Sequence, residues 1–218
     1  MKVSLNTAKF HSNVDVMPNG LDDLVSKIGA QLGAIEEVVE YSPRYDRIVV
    51  AKVVSCQKHP NADKLSVCTI DDGGITPDVN RDEHGYVQVV CGAQNVREGL
   101  IVAWIPPGAI VPATYSKDPF VLEARELRGV ISNGMLASAS ELGISDDHSG
   151  LLEINTEDVG EDVVAPGTPF SKLYGLDDVV IEIENKMFTH RPDCFGVLGV
   201  AREIAGIYGQ TFHSPGLV

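Results

Sequence analysis

IVVAKVVSC (48–56), LSVCTI (65–70), YVQVVC (86–91) and LIVAWI (100–105) are four short apolar runs, rich in Val and Ile and separated by Pro, Gly, Asn and Asp. Runs of this length between turn residues read as β-strands. A weaker run, FVLEA (120–124), offers a fifth. The pattern is that of a small barrel or sandwich and not of a helical domain, and five strands suit a closed barrel. Between the second and third runs lies DDGGITPDVNRDEHG (71–85), whose Gly, Pro and charge predict an exposed, mobile hairpin loop, too acidic to contact a polyanion.

Upstream, Val3 to Leu5 reads as a short strand. Leu21, Leu24, Val25, Ile28 and Leu32 then recur at helical spacing, with Asp22 and Asp23 in the first turn, where carboxylates interact favourably with the helix dipole, and Gly33 at the exit. Tyr41-Ser42-Pro43-Arg44-Tyr45 reads as a hinge into the barrel. Downstream of Leu151-Leu152-Glu153-Ile154 comes an acidic connector, NTEDVGEDVVAPGTPF (155–170). It leads to a strand, VVIEIE (179–184), a loop, NKMFTHRPD (185–193), and a helix from about 194 to 209. Leu198, Ala201, Ile204, Ala205 and Tyr208 share one face of that helix, and Asp193 is placed to cap it. The expected organisation is an N-terminal strand–helix segment at 1–40, a barrel domain at 41–154, and an acidic linker with the incomplete start of another α/β domain at 155–218. One strand and one helix are too little for a domain, so the natural protein is expected to continue past Val218.

Composition narrows the classes. Cys56, Cys68, Cys91 and Cys194 lack the C-x-x-C spacing of a zinc site and lie mostly in apolar runs, which predicts reduced thiols and no metal. The opening MKVSLNTAKFHSNV is no signal peptide, and no stretch reaches the roughly 20 apolar residues that span a bilayer. A soluble, cytoplasmic protein with no membrane partner is expected. Lys and Arg number 17 against 31 Asp and Glu, a net charge of −14, and no segment of the chain is basic. Any surface that meets nucleic acid must therefore be a local patch with weak, salt-dependent affinity. His190-Arg191-Pro192-Asp193 has the look of a kinase catalytic loop, but no glycine-rich phosphate loop or Asp-Phe-Gly accompanies it. It reads as a helix entry in which Arg191 pairs with Asp193 or Glu203. No nucleophile–base set or paired metal ligands stand out, so no catalytic residue is expected in this chain.

The motifs that carry most information come in order. His59-Pro60-Asn61-Ala62-Asp63-Lys64-Leu65 follows the first barrel strand. Cys91-Gly92-Ala93-Gln94-Asn95-Val96, Pro107-Gly108-Ala109 with Val111-Pro112, Leu127-Arg128-Gly129-Val130, Ser132-Asn133-Gly134-Met135-Leu136 and Glu141-Leu142-Gly143 follow it. This series resembles the tRNA-binding oligonucleotide-binding (OB) domain shared by phenylalanyl-tRNA synthetase β subunits, extensions of some methionyl-tRNA synthetases and free-standing tRNA-binding proteins. The flanks favour the first: MKVSLN resembles the β-subunit opening. Thr189-His190-Arg191-Pro192-Asp193-Cys194 with Gly199-Val200-Ala201-Arg202-Glu203-Ile204-Ala205 resembles the start of its next domain, of B3/B4 type. The sequence departs from the family at Gln31–Val38, His190, Asn133 and an enlarged 71–85 loop.

The resemblance implies a mainly β, α+β chain: a five-stranded OB-type barrel flanked by a small N-terminal α/β segment and the start of a further α/β domain. It implies an accessory, tRNA-binding role in a phenylalanine–tRNA ligase of two α and two β subunits, which charges tRNA using ATP and magnesium with its chemistry in the α subunit. The chain itself is expected to need no cofactor, and the editing pocket is expected beyond Val218. Candidate RNA contacts are Lys58, His59, Asn61, Lys64, Asn95, Arg97, Arg125 and Arg128, as a patch meeting phosphates and base edges. Ser132, Met135 and Ser138 would form a groove for unstacked bases. The competing reading makes the charged set ordinary solvated turns, and Met135 with Leu136 core. Two further classes fit the sequence: a protein-interaction scaffold without autonomous RNA binding, which suits the −14 charge, and a free-standing homodimeric tRNA-binding protein.

Overall fold

The computed structural model describes residues 1–155, 157 and 164–214. The acidic connector expected at 155–170 therefore lies partly, at 156 and 158–163, outside the described residues. The chain forms two compact units, Met1–Tyr41 with Asp177–Val218, and Ser42–Leu176.

The first unit contains β1 (Lys2–Ser4), α1 (Leu5–Ser12), α2 (Leu21–Gln31) and β2 (Ile35–Glu40). Ser4 ends β1 and starts α1 at once, because its hydroxyl accepts the Thr7 amide and caps the helix. The second unit holds β3 (Val49–Lys58), β4 (Ser66–Asp71), β5 (Val87–Cys91), β6 (Ile101–Ile105), the hairpin β7 (Arg125–Leu127) and β8 (Val130–Ser132), and β9 (Met135–Leu136). The chain then returns to the first unit with β10 (Val179–Ile183) and α3 (Val197–Tyr208).

The expected third segment is thus no separate domain. β10 lies between β1 and β2 in an antiparallel sheet, pairing Ile181 with both Val3 and Val38. Its apolar residues complete a core of Val3, Leu24, Ile28, Ile181, Ile183, Val200 and Ile204 that neither segment fills alone. Asp193 does not cap the last helix: it sits in a separate turn, Pro192–Cys194, and Gly196 holds the cap position. What fixes Asp193 there is charge, since Arg191 donates to it at 2.8 and 3.1 Å and to Glu203 at 2.6 Å, and Arg202 binds it as well.

In the second unit the order β5-β4-β3-β6-β9 is antiparallel throughout. Four strands fall where the apolar runs predict them. The fifth does not: residues 120–124 make only a bridge, Ile110 to Val121, and the strand beside β6 is β9. Closure of the barrel beside β5 runs through side chains. Ser132 Oγ accepts the Val90 amide at 2.9 Å, and Asn133 donates to Gln88 O with both its backbone and side-chain nitrogen. The result is a nearly closed five-stranded barrel of OB type. Alternate residues of β3 and β6 serve two cores: Val49, Ala51, Val53, Val102 and Trp104 fill the barrel, while Val50, Ala103 and Ile105 pack outward against Phe170, Leu142 and Leu173. Burial on both faces explains why these runs are apolar at almost every position, the exposed Lys52 excepted.

The 71–85 loop is largely exposed, as its composition predicts, but it is also anchored by a buried acid. Asp72 is fully buried; it accepts the Gly74 and Thr76 amides and binds Arg81 through both carboxylate oxygens, at 2.6 and 3.0 Å. Arg81 also donates to the Thr76 and Gly85 carbonyls. Burial acts against ionisation, but the Arg81 guanidinium and Thr76 outweigh it and hold the Asp72 carboxyl down to about 2.

A candidate nucleic-acid interface

β3 ends at Lys58, and the His59-to-Leu65 turn is closed by the His59 amide on Leu65 O at 3.0 Å. The His59 side chain is turned inward. Nδ1 accepts the Asn61 amide at 3.0 Å, so Nε2 carries the proton and donates to Leu127 O, also at 3.0 Å. Asn61 Nδ2 donates to Arg128 O at 2.9 Å. Two neutral side chains therefore hold the tip of the β7–β8 hairpin by its carbonyls. That tip is a two-residue turn, Arg128-Gly129, with φ of 53 and 90 degrees, the positive values such a turn requires.

Because the latch uses carbonyls and not carboxylates, it leaves the cations beside it unspent. Lys64, Arg128 and Asn61 line one surface hollow of about 530 Å³, with Asp63 its one acid. Lys58, Lys64, Arg125 and Arg128 are all exposed and have no ion-pair partner among the described residues. Arg125 instead lies 5.8 Å from the centre of the Phe120 ring, which is 43% exposed. A cation over an exposed ring beside the hairpin is suited to phosphate on one side and a stacked base on the other. Sequence reading missed Phe120, whose apolar run read as a barrel strand.

The remaining candidates lie elsewhere or are engaged in folding. Asn95 receives the Leu151 amide and donates to Leu151 O and Glu153. Arg97 binds Glu153 with two hydrogen bonds of 2.7 and 2.8 Å, and this, with Asn95, holds the Glu153 carboxyl at about 2. Ser132 is buried at the closure of the barrel. The Ser138 amide and hydroxyl both donate to Glu141. Met135 packs against the outer core and, with Ser138, Gln94 and His148, lines a second hollow of about 610 Å³.

Residues 48–162, more than half of the chain, match the family described as "Putative tRNA binding domain". Across its length the chain is similar to phenylalanine–tRNA ligase beta subunits. It is 40% identical to that of Synechococcus sp. (strain CC9902) over 99% of this chain and 24% of the relative. It is 40% identical to that of Rhodopseudomonas palustris over 100% and 24%, and 36% identical to that of Desulfotalea psychrophila over 99% and 23%. The chain thus spans about a quarter of the length of the curated relatives it matches. Among the described residues no helix is long and apolar enough to cross a membrane.

Proposed function

The chain belongs to the tRNA-binding domain family, and from that premise we propose that its barrel binds tRNA as an accessory region of a phenylalanine–tRNA ligase beta subunit. The observation that carries the site assignment is the hollow shared by Lys64 and Arg128, two cations without an ion-pair partner among the described residues, beside the His59–Asn61 latch. In a chain of net charge −14, such cations supply the local positive potential that a polyanion needs. Phosphate contacts at Lys58, Lys64, Arg125 and Arg128 position the strand, and Phe120 offers a stacking surface.

The whole protein, on this reading, works beside an α subunit in the cytoplasm and joins phenylalanine to tRNA with ATP and magnesium. The described residues do not fit the metal. The grouping of ligand-bearing side chains Asp193, Cys194 and Glu203 is filled by Arg191 and Arg202. No step is assigned to it, and this chain's part is to hold and orient RNA.

A protein-docking reading has one observation in its favour: Phe120, Val121 and Ile131, on and beside the β7–β8 hairpin, are 43–48% exposed. Fluorescence anisotropy of the chain with tRNA and with an unstructured RNA of equal length separates the two. Preference for tRNA supports the proposal; equal or absent binding of both RNAs overturns it in favour of docking.

A further inference from the structure

Arg47 differs from the arginines that serve the fold. Arg81, Arg97, Arg191 and Arg202 each bind a carboxylate. Arg47 is exposed and has no hydrogen-bond or ion-pair partner among the described residues, although the chain carries 31 acids. Its backbone φ is 65 degrees, in the left-handed region that side chains with a Cβ rarely adopt. Its guanidinium rests on Gly108, where an added Cβ would collide with Nη1 and stand 3.3 Å from Cζ. A left-handed backbone at Arg47 and the missing Cβ of Gly108 thus accompany a guanidinium seated close to Gly108 with no ion-pair partner among the described residues.

That guanidinium borders a hollow of about 670 Å³. Arg44, Ser42, Ser171 and Tyr115 add a second cation and three hydroxyls, and Pro43 and Pro169 add apolar wall. Asp46 is the one acid on the lining. The volume is far larger than a bare anion needs and lies in the range that holds a small organic ligand. A guanidinium matches phosphate in two-pronged fashion, the hydroxyls suit a sugar, and the ring and prolines suit a base. Asp46 disfavours a bare anion and accepts hydrogen bonds from sugar hydroxyls or base amino groups.

We propose that this hollow is a binding site for a phosphate-bearing nucleotide unit, with Arg47 on the phosphate. None of its lining residues belongs to the Lys64–Arg128 hollow, so the two sites stand or fall separately. A nucleotide within an RNA strand and a free mononucleotide share this chemistry.

The test is NMR titration of the full chain with AMP, and with adenosine and inorganic phosphate as controls. AMP is expected to shift the amide resonances of residues 42–48 and 108–110, and to bind about tenfold tighter than either control. Arg47→Gly removes the guanidinium while suiting the positive φ, so the barrel keeps its spectrum and the AMP affinity drops about tenfold. Lys64→Ala with Arg128→Ala leaves AMP binding unchanged. Displacement of AMP by tRNA identifies the natural ligand as an RNA phosphate, and failure to displace it identifies a free nucleotide; both support the site. Absence of AMP shifts at these residues, adenosine binding as tightly as AMP, or an Arg47→Gly chain that binds AMP as the parent does would overturn it.

Discussion

The 71–85 loop and the β7–β8 hairpin are both polar, turn-rich connections beside the same barrel, yet they spend their charges differently. In the loop, Arg81 is consumed by the buried Asp72, and the segment is organised from within. At the hairpin, the work of holding the tip falls to His59 and Asn61, which bind the carbonyls of Leu127 and Arg128. Lys64, Arg125 and Arg128 have no ion-pair partner among the described residues. The difference separates cations that serve the fold from cations free to serve a ligand, a separation that counting charges along the sequence does not make.

The largest effect should come from breaking the loop's internal pair. Asp72→Asn leaves Arg81 partnered only by carbonyls, and since that side chain is 21% exposed, the loss should be about 3 kcal/mol, the low end for a broken buried pair. The denaturant midpoint measures it, and tRNA affinity at pH 7 should barely change.

Acid acts on the same bond. The Asp72 pKa of about 2 lies below its ordinary 3.8. The stabilisation is thus fully present above pH 4 and is lost as pH falls from about 4 through about 2, a total of about 2 kcal/mol. Stability of the parent chain should drop over that window, and that of Asp72→Asn should drop less.

At the hairpin, His59→Ala strands the Leu127 carbonyl and removes the ring from a buried site. A loss of about 1–2 kcal/mol is expected. Unlike the Asp72 substitution, it should also weaken tRNA binding, because the tip that carries Arg128 is released. Equal effects of the two substitutions on tRNA would erase the contrast drawn between the two connections.

The smallest effect is expected at Arg97. Its charge is matched by Glu153 at the surface, so Arg97→Ala should shift the denaturant midpoint least of these variants and leave the salt dependence of RNA binding unchanged.

How much of this was legible in the sequence follows from the range of each interaction. The four long strands were readable because Val, Ile and Cys runs record their own burial. The fifth was not, since β9 has two residues and its closure against β5 depends on Ser132 and Asn133 reaching Val90 and Gln88. Residues 120–122 are apolar, but in the fold Phe120 and Val121 face solvent. The place of β10 between β1 and β2 was invisible for a different reason: nothing local marks a strand that pairs with the far end of the chain. At the site, residue types were legible and their duties were not. His59, Asn61, Asn95, Arg97 and Ser132 read as surface contacts, yet each binds another part of the chain. Arg47 gave no signal at all, because its neighbour Gly108 is brought beside it only by the fold.

The central claim is that Lys64 and Arg128 are unspent cations that meet RNA phosphates. The direct test is the salt dependence of tRNA binding, from about 50 to 200 mM, for the parent chain and for Lys64→Ala with Arg128→Ala. The slope of log affinity against log salt should fall by about two units in the double variant, one per lost contact, with tRNA binding weakened at low salt. An unchanged slope and affinity would contradict the account and return both residues to ordinary solvated surface.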